Sequence, residues 1–223
     1  MKKLFNADII DIFPTESGFI YSCKEIIDGS KEAVAFFEYS KTVDIFKKLT
    51  VNEYVEGKYG EENYACARAL GDFVSCRIIP LSSGKALASY PNGTIKVYDI
   101  NGKITDTMKV TYKGYSACYP AAYKGELWMA VPEANAVVNY SIKFRRIEFR
   151  VGNSDERTFS HPTDMESYDG QLYVCNRNSF SIKILNPESY AVNNYKTFGE
   201  PVTRYFRDND SEYVLLKSGV YML

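Results

Sequence analysis

The chain has 223 residues, 45% hydrophobic and 15% aromatic, and its 27 basic and 28 acidic side chains leave a formal net charge of −1. This composition is too rich in core-forming side chains for a disordered chain, and the charge balance lacks the basic footprint of a nucleic-acid binder. The length suits one large all-β domain or two small ones.

The opening Met1-Lys2-Lys3 has the lysines of a secretory leader, but Asn6, Asp8 and Asp11 interrupt the apolar run behind it, so no signal peptide is expected. Charges break every window long enough to span a membrane as a helix. The five cysteines, Cys23, Cys66, Cys76, Cys118 and Cys175, form no Cys-x-x-Cys pair, and His161 is the single histidine. An odd cysteine count without a leader predicts a cytoplasmic location, no disulfide framework and no Cys/His zinc site. Cys23, Cys76, Cys118 and Cys175 read as small buried strand residues.

Helix signals are scarce. Short alternating or β-branched runs are separated by Gly, Pro, Asp and Asn-Gly, the pattern of many short strands. Asn52 to Glu62 is acidic and rich in tyrosine, and it predicts a loop or extra hairpin inserted around 50–72. Farther on, Phe73 to Pro80 supplies a strand, and Lys85 to Val110 reads as a three-strand meander. Its turns, Asn92-Gly93 and Asn101-Gly102, predict two-residue type I′ hairpins, in which both central residues take positive φ. The basic cluster Lys143, Arg145, Arg146 and Arg150 falls on the outer strands of its unit, where charge faces water. Asp208 to Glu212 alternates acidic residues as calcium loops do but lacks their glycine and distant glutamate, so a tight polar turn is expected.

A polar turn followed by an apolar strand recurs at Gly18, Gly84, Gly125, Gly170 and Ser211, at spacings of 66, 41, 45 and 41 residues. Three of these spacings match a four-stranded propeller blade of about 40–45 residues. The prediction is a single all-β propeller over 1–223 with five blades, six being the alternative count. The last unit, ending at Leu223, has three strands, and Lys2 to Asn6 is expected to supply the fourth and close the ring.

Two segments carry a family resemblance. Leu87 to Asp99 is similar to the second half of a WD repeat, with Tyr98-Asp99 where that family has Trp-Asp. Pro162 to Ile184 resembles an NHL-type repeat in which Asn176, Ser179 and Ser181 replace the usual Asp, Asn and Arg, and Pro120 to Ala130 repeats its opening more weakly. Both resemblances imply a propeller, a fold that hosts scaffolds, receptors, lactonases, lyases and glycosidases.

Two functional readings follow. One is a non-catalytic module that binds a protein, peptide or carbohydrate at the rim of the channel and needs no cofactor. The ligand-facing candidates are Asp8, Tyr115, Tyr119, Glu133, His161, Asn176 and Arg177, with Tyr115, Tyr119 and Tyr123 expected to cluster around one inner strand as a platform. The other is a small hydrolase or lyase whose catalytic candidates are His161 and Asp164. Propeller enzymes of the gluconolactonase type hold a divalent metal on Glu, Asn and Asp ligands, and arabinanase-type enzymes use channel acids. Such a resemblance implies Asp8, Asp11, Glu133, Asp164 and Asn176 as the acids or ligands, with a cation such as calcium. Convergence of several of these groups on one point favours the enzyme; scatter, or pairing to backbone, favours binding.

Overall fold

The computed structural model describes residues 1–5, 9–27, 31–60, 77–81, 84–153 and 157–223. Asp8, Cys66, Cys76 and the later part of the predicted insertion lie outside these residues.

Strand β1 (Lys2–Phe5) is followed by the first blade, β2 (Ile9–Pro14), β3 (Gly18–Ile27), β4 (Lys31–Ser40) and β5 (Ile45–Leu49). A helix, α1 (Val51–Tyr59), comes next. The second blade is β6 (Arg77–Pro80), β7 (Ala86–Ser89), β8 (Thr94–Tyr98) and β9 (Ile104–Lys109). A small hairpin, β10 (Thr111–Tyr112) and β11 (Tyr115–Ser116), precedes the third blade, β12 (Cys118–Tyr123), β13 (Glu126–Val131), β14 (Ala136–Ser141) and β15 (Arg146–Gly152). The fourth blade is β16 (Pro162–Tyr168), β17 (Gln171–Asn176), β18 (Ser181–Leu185) and β19 (Val192–Thr197). The last strands are β20 (Val202–Asp208), β21 (Ser211–Leu216) and β22 (Gly219–Met222). Strand β1 pairs antiparallel with β22, so both ends of the described chain share the fifth blade.

The result is a five-bladed β-propeller, each blade a four-stranded antiparallel sheet. Its strength lies between blades. Leu87, Ile95 and Met108 pack on Leu127, Met129 and Val138. Trp128 and Val137 pack on Met165, Leu172 and Val174, and Tyr173 and Ile182 on Tyr205 and Val214. Phe206, Tyr213 and Val220 meet Ile12, Phe19 and Tyr21 across the closed seam. Burial of such side chains contributes about 1.5–3 kcal/mol each.

The fifth wedge, between the first and second blades, is filled by α1. Tyr54 joins Ile20, Phe36 and Leu49 of the first blade, while Val55 joins Ile78, Ala88 and Tyr98 of the second. The expected loop or hairpin is thus corrected: a helix stands there because a capping box starts it. The Thr50 hydroxyl accepts from the Glu53 N–H at 3.2 Å, and the Glu53 carboxylate accepts from the Thr50 N–H at 2.7 Å. Both bonds satisfy N–H groups that a helix start otherwise leaves open.

Replacing Thr50 by Ala is expected to cost about 1 kcal/mol, read from the urea midpoint. The Thr50 N–H, helped by Lys47, holds the Glu53 carboxyl at about 2, well below its usual 4.5. Its folded pKa is depressed, so its contribution is present above pH 4.5 and is lost as pH falls from there toward 2. The stability difference between the wild type and Glu53→Gln should shrink across that window, and a constant difference would remove the carboxylate from the cap.

The meander turns differ from the predicted type I′. Only the glycines take positive φ, 81° at Gly93 and 74° at Gly102. The Tyr90 N–H donates to Thr94 O at 2.8 Å and the Asp99 N–H to Lys103 O at 2.9 Å, which closes three-residue loops. Such a loop is a type I turn ending in a left-handed residue. Pro91 presets the first turn position, and the Asn92 side chain accepts the Thr94 N–H at 2.9 Å, so asparagine serves by its amide and not by positive φ. A Cβ at Gly93 would also lie 2.5 Å from Val110 O. Gly93→Val is expected to cost more than 1 kcal/mol through φ and this clash; an unmoved denaturation midpoint would show that the turn relaxes freely.

The basic cluster behaves as a solvated edge, Arg145 pairing with Asp106 at 2.9 Å and Arg146 with Glu148 at 3.0 Å. Asp208 to Glu212 is the β20–β21 turn, with Asn209 at φ 51°. Among the described residues, no helix is long and apolar enough to cross a membrane.

Candidate functional site

The first strand of every blade lines the channel. In four of these strands the ladder is interrupted by an irregularity near its start, between Ile9 and Asp11, Cys118 and Pro120, Pro162 and Asp164, and Val202 and Arg204. Bulges of this kind re-aim side chains. After each comes one residue and then a buried apolar one: Asp11 before Ile12, Pro120 before Ala121, Asp164 before Met165 and Arg204 before Tyr205. Arg77, before buried Ile78, holds the same phase in the second blade. One level of the channel therefore carries, in blade order, Asp11, Arg77, Pro120, Asp164 and Arg204. Signs alternate around it, and because a ring of five cannot alternate throughout, proline takes the neutral place.

The ring is ion-paired. Arg77 reaches past the third blade to Asp164 and to Glu166, two residues deeper on β16. Arg204 pairs with Asp11 and, at 3.2 Å, with Glu166. From α1, Lys58 pairs with Asp11, and the Tyr54 hydroxyl donates to the same carboxylate at 3.1 Å. Among the described residues, three carboxylates thus face three cations. The Asp164 side chain is only 5% exposed and Arg204 14%. Burial lowers the Arg204 guanidinium to about 10, and burial raises the Glu166 carboxyl above its usual range against the pull of Arg77. Buried charge of this kind persists only where it is paired. Two atoms of the network make no hydrogen bond, Asp164 Oδ2 and Arg204 Nε, which lie 3.9 Å apart.

These groups line a cavity of about 530 Å³ that also touches Tyr59, Cys118, Tyr119 and Thr203. Tyr119 is the extra residue of its bulge, with φ 50°, and burial raises its phenol above the usual range. Burial also pushes the Cys118 thiol up to about 12, which keeps it protonated and unreactive. Cys23, Cys118 and Cys175 are all buried and free of disulfides.

Of the sequence candidates, Asp11 and Asp164 meet through Arg204, and Tyr119 lines the same cavity. His161 stands on the rim at φ 51°, its Nδ1 3.9 Å from Glu133 and its N–H donating to Asn135 Oδ1 at 2.7 Å. Arg177 is an exposed turn residue whose N–H donates to His161 O at 3.1 Å. Asn176 is fully buried, its amide accepting from Ser160 N–H at 3.0 Å and donating to Val174 O at 2.9 Å. It pins the turn into β16.

The three tyrosines are spread along β11 and β12. Tyr115 is 46% exposed on the separate β10–β11 hairpin. Tyr123 lies at the far end of β12 and donates to Glu188 at 3.1 Å. Of these three, Tyr119 lines the cavity. Arg77, Arg204, Glu166, Lys58 and Tyr54 were not among the candidates, although a charged residue ahead of a buried apolar one recurs in the inner strands as a readable signal. Among the described residues, no group of three or more His, Cys, Asp or Glu side chains is placed to hold a metal ion.

The fold and its channel define the class, a five-bladed β-propeller with a salt-bridged channel. No protein-family model matches the chain, and no curated protein matches it significantly. Among solved structures it is similar to Sqt1 of Saccharomyces cerevisiae, with a TM-score of 0.58 and 10% identity over 96% of this chain and 71% of that one. It is also similar to a catalytically inactive virginiamycin B lyase from Staphylococcus aureus with quinupristin, with a TM-score of 0.54 and 12% identity over 99% and 86% of the two chains. A streptogramin B lyase gives 0.54 and 10% identity over 97% of this chain and 66% of its own. At these identities the likeness shows the propeller fold and nothing finer.

Proposed function

We propose that this protein is a non-catalytic binding module that takes its ligand at the mouth of the channel, beside Tyr119. The observation that carries this reading is the pairing of Asp11, Asp164 and Glu166 with Arg77, Arg204 and Lys58. A general base must be free to take a proton and a general acid free to give one; carboxylates held by cations do neither readily. His161 faces Glu133, 3.9 Å from its Nδ1.

The second reading, a hydrolase or lyase, draws on one feature, the raised Glu166 carboxyl, as acid catalysts often have. Its bonds to both arginines count against it. Similar structures include lyases, so the fold is compatible with either reading.

The test is thermal stabilisation by divalent cations, mono- and disaccharides, lactones and short peptides, with each hit analysed by mass spectrometry. A ligand at 100 times its dissociation constant should add about 2.7 kcal/mol of stability. The expected result is a stabilising compound that is recovered unchanged and whose effect fades in Tyr119→Ala. A chemically altered compound, its formation abolished by Glu166→Gln, would overturn the reading in favour of the enzyme, and silence across the panel would remove small-ligand binding at the mouth.

A further inference from the structure

We propose, building on the binding reading above, that the channel takes a neutral polyhydroxylated ligand of one or two sugar rings, one hydroxyl of which bridges Asp164 Oδ2 and Arg204 Nε. Both residues line the cavity, and these two atoms, buried at its wall, lack hydrogen-bond partners. At 3.9 Å they are too far apart to bond each other. Leaving such groups open carries a desolvation penalty, so a ligand that satisfies both recovers that penalty on binding.

The chemistry of the pair selects the ligand. Asp164 Oδ2 only accepts and Arg204 Nε–H only donates. A group that serves both must itself accept and donate, which a hydroxyl does. A carboxylate or fully ionised phosphate has no proton for Asp164, and an ammonium has no lone pair for Arg204. A hydroxyl oxygen at about 2.8 Å from each atom fits this separation with ordinary bond lengths.

Charge agrees with this. Among the described residues, three carboxylates against three cations leave no surplus to attract an ion, and a charged ligand would have to break a buried pair to enter. The rest of the wall suits a sugar: Tyr119 is turned into the cavity by its bulge, and Tyr59 of α1 also lines it, so phenol rings are available to the apolar faces of a pyranose. The volume of about 530 Å³ lies within the roughly 300–1,000 Å³ of small-molecule sites.

The experiment titrates the full-length chain, by calorimetry and saturation-transfer NMR, with glucose, galactose, arabinose, myo-inositol and cellobiose. Glucuronate and inorganic phosphate serve as anionic comparisons. The expected result is saturable binding of a neutral probe that is insensitive to sodium chloride and weakened about tenfold or more by Asp164→Asn, the loss of one buried hydrogen bond to a charged group. Tyr119→Ala, which leaves every ion pair in place, should weaken it as well and keeps the test valid if Asp164→Asn fails to fold. Preference for glucuronate or phosphate, salt-sensitive affinity, or neutral binding indifferent to both substitutions would each overturn the proposal. So would failure of every sugar and polyol while a peptide still binds near Tyr119, which leaves the binding module standing and shows that the buried pair serves solvent alone. Turnover of a bound sugar would instead sink the binding reading itself.

Discussion

Arg204→Met is expected to destabilise the protein by about 3 kcal/mol or more, as removal of one partner from a buried ion network does. Arg204 sits between two blades, reaching Asp11 on β2 and Glu166 on β16. Methionine fills part of its volume but leaves three carboxylates against Arg77 and Lys58. Burial already lowers the guanidinium to about 10, so the ring tolerates the arginine only because carboxylates surround it. Urea unfolding followed by far-ultraviolet dichroism reads the effect. Adding Asp11→Asn to Arg204→Met should recover part of the loss, because it removes a charge that has lost a partner, and contacting residues couple in this way. A loss under about 1 kcal/mol, the value of an exposed pair, would show instead that water screens the ring.

Removing β1 should cost still more. Residues Lys2–Phe5 form the outer strand of the fifth blade against β22. Phe5 is buried in the seam between the fifth and first blades, 5.2 Å from the Tyr21 ring and 5.0 Å from Tyr39. Its deletion exposes the edge of β22 and opens the seam at once, and an unpaired edge templates association. The expected result is loss of the monomeric folded protein by size-exclusion chromatography and dichroism. Phe5→Ala alone should cost about 3–5 kcal/mol, the usual range for a buried phenylalanine. A deletion variant with an unchanged urea midpoint would mean that the ring does not depend on β1.

The blades were legible because their signals are local. A strand announces itself by alternation, and turns such as Lys124-Gly125 and Asp169-Gly170 by residues that tolerate positive φ, which all four adopt. The missing strand of the last unit was legible as well, since an open edge demands a partner. The turn type at Asn92-Gly93 was misread because asparagine can serve a turn by either its φ or its side chain, and Pro91 together with the register decided between them. Helix α1 was missed although Thr50 and Glu53 have the spacing of a capping box. The acidic, tyrosine-rich composition carries no helical apolar face of its own, and Tyr54 and Val55 find their reason only in the wedge between two blades.

The sequence by itself determined the repeat and most of its strands, with five or six blades left open, because φ preferences and side-chain alternation act within a few residues. Only the tertiary structure decided the site. Arg77 pairs with carboxylates 87 and 89 positions away, and Lys58 with one 47 positions away. Which charges meet depends on where ring closure places them and on how little water reaches them there; neither is set by neighbours in the chain.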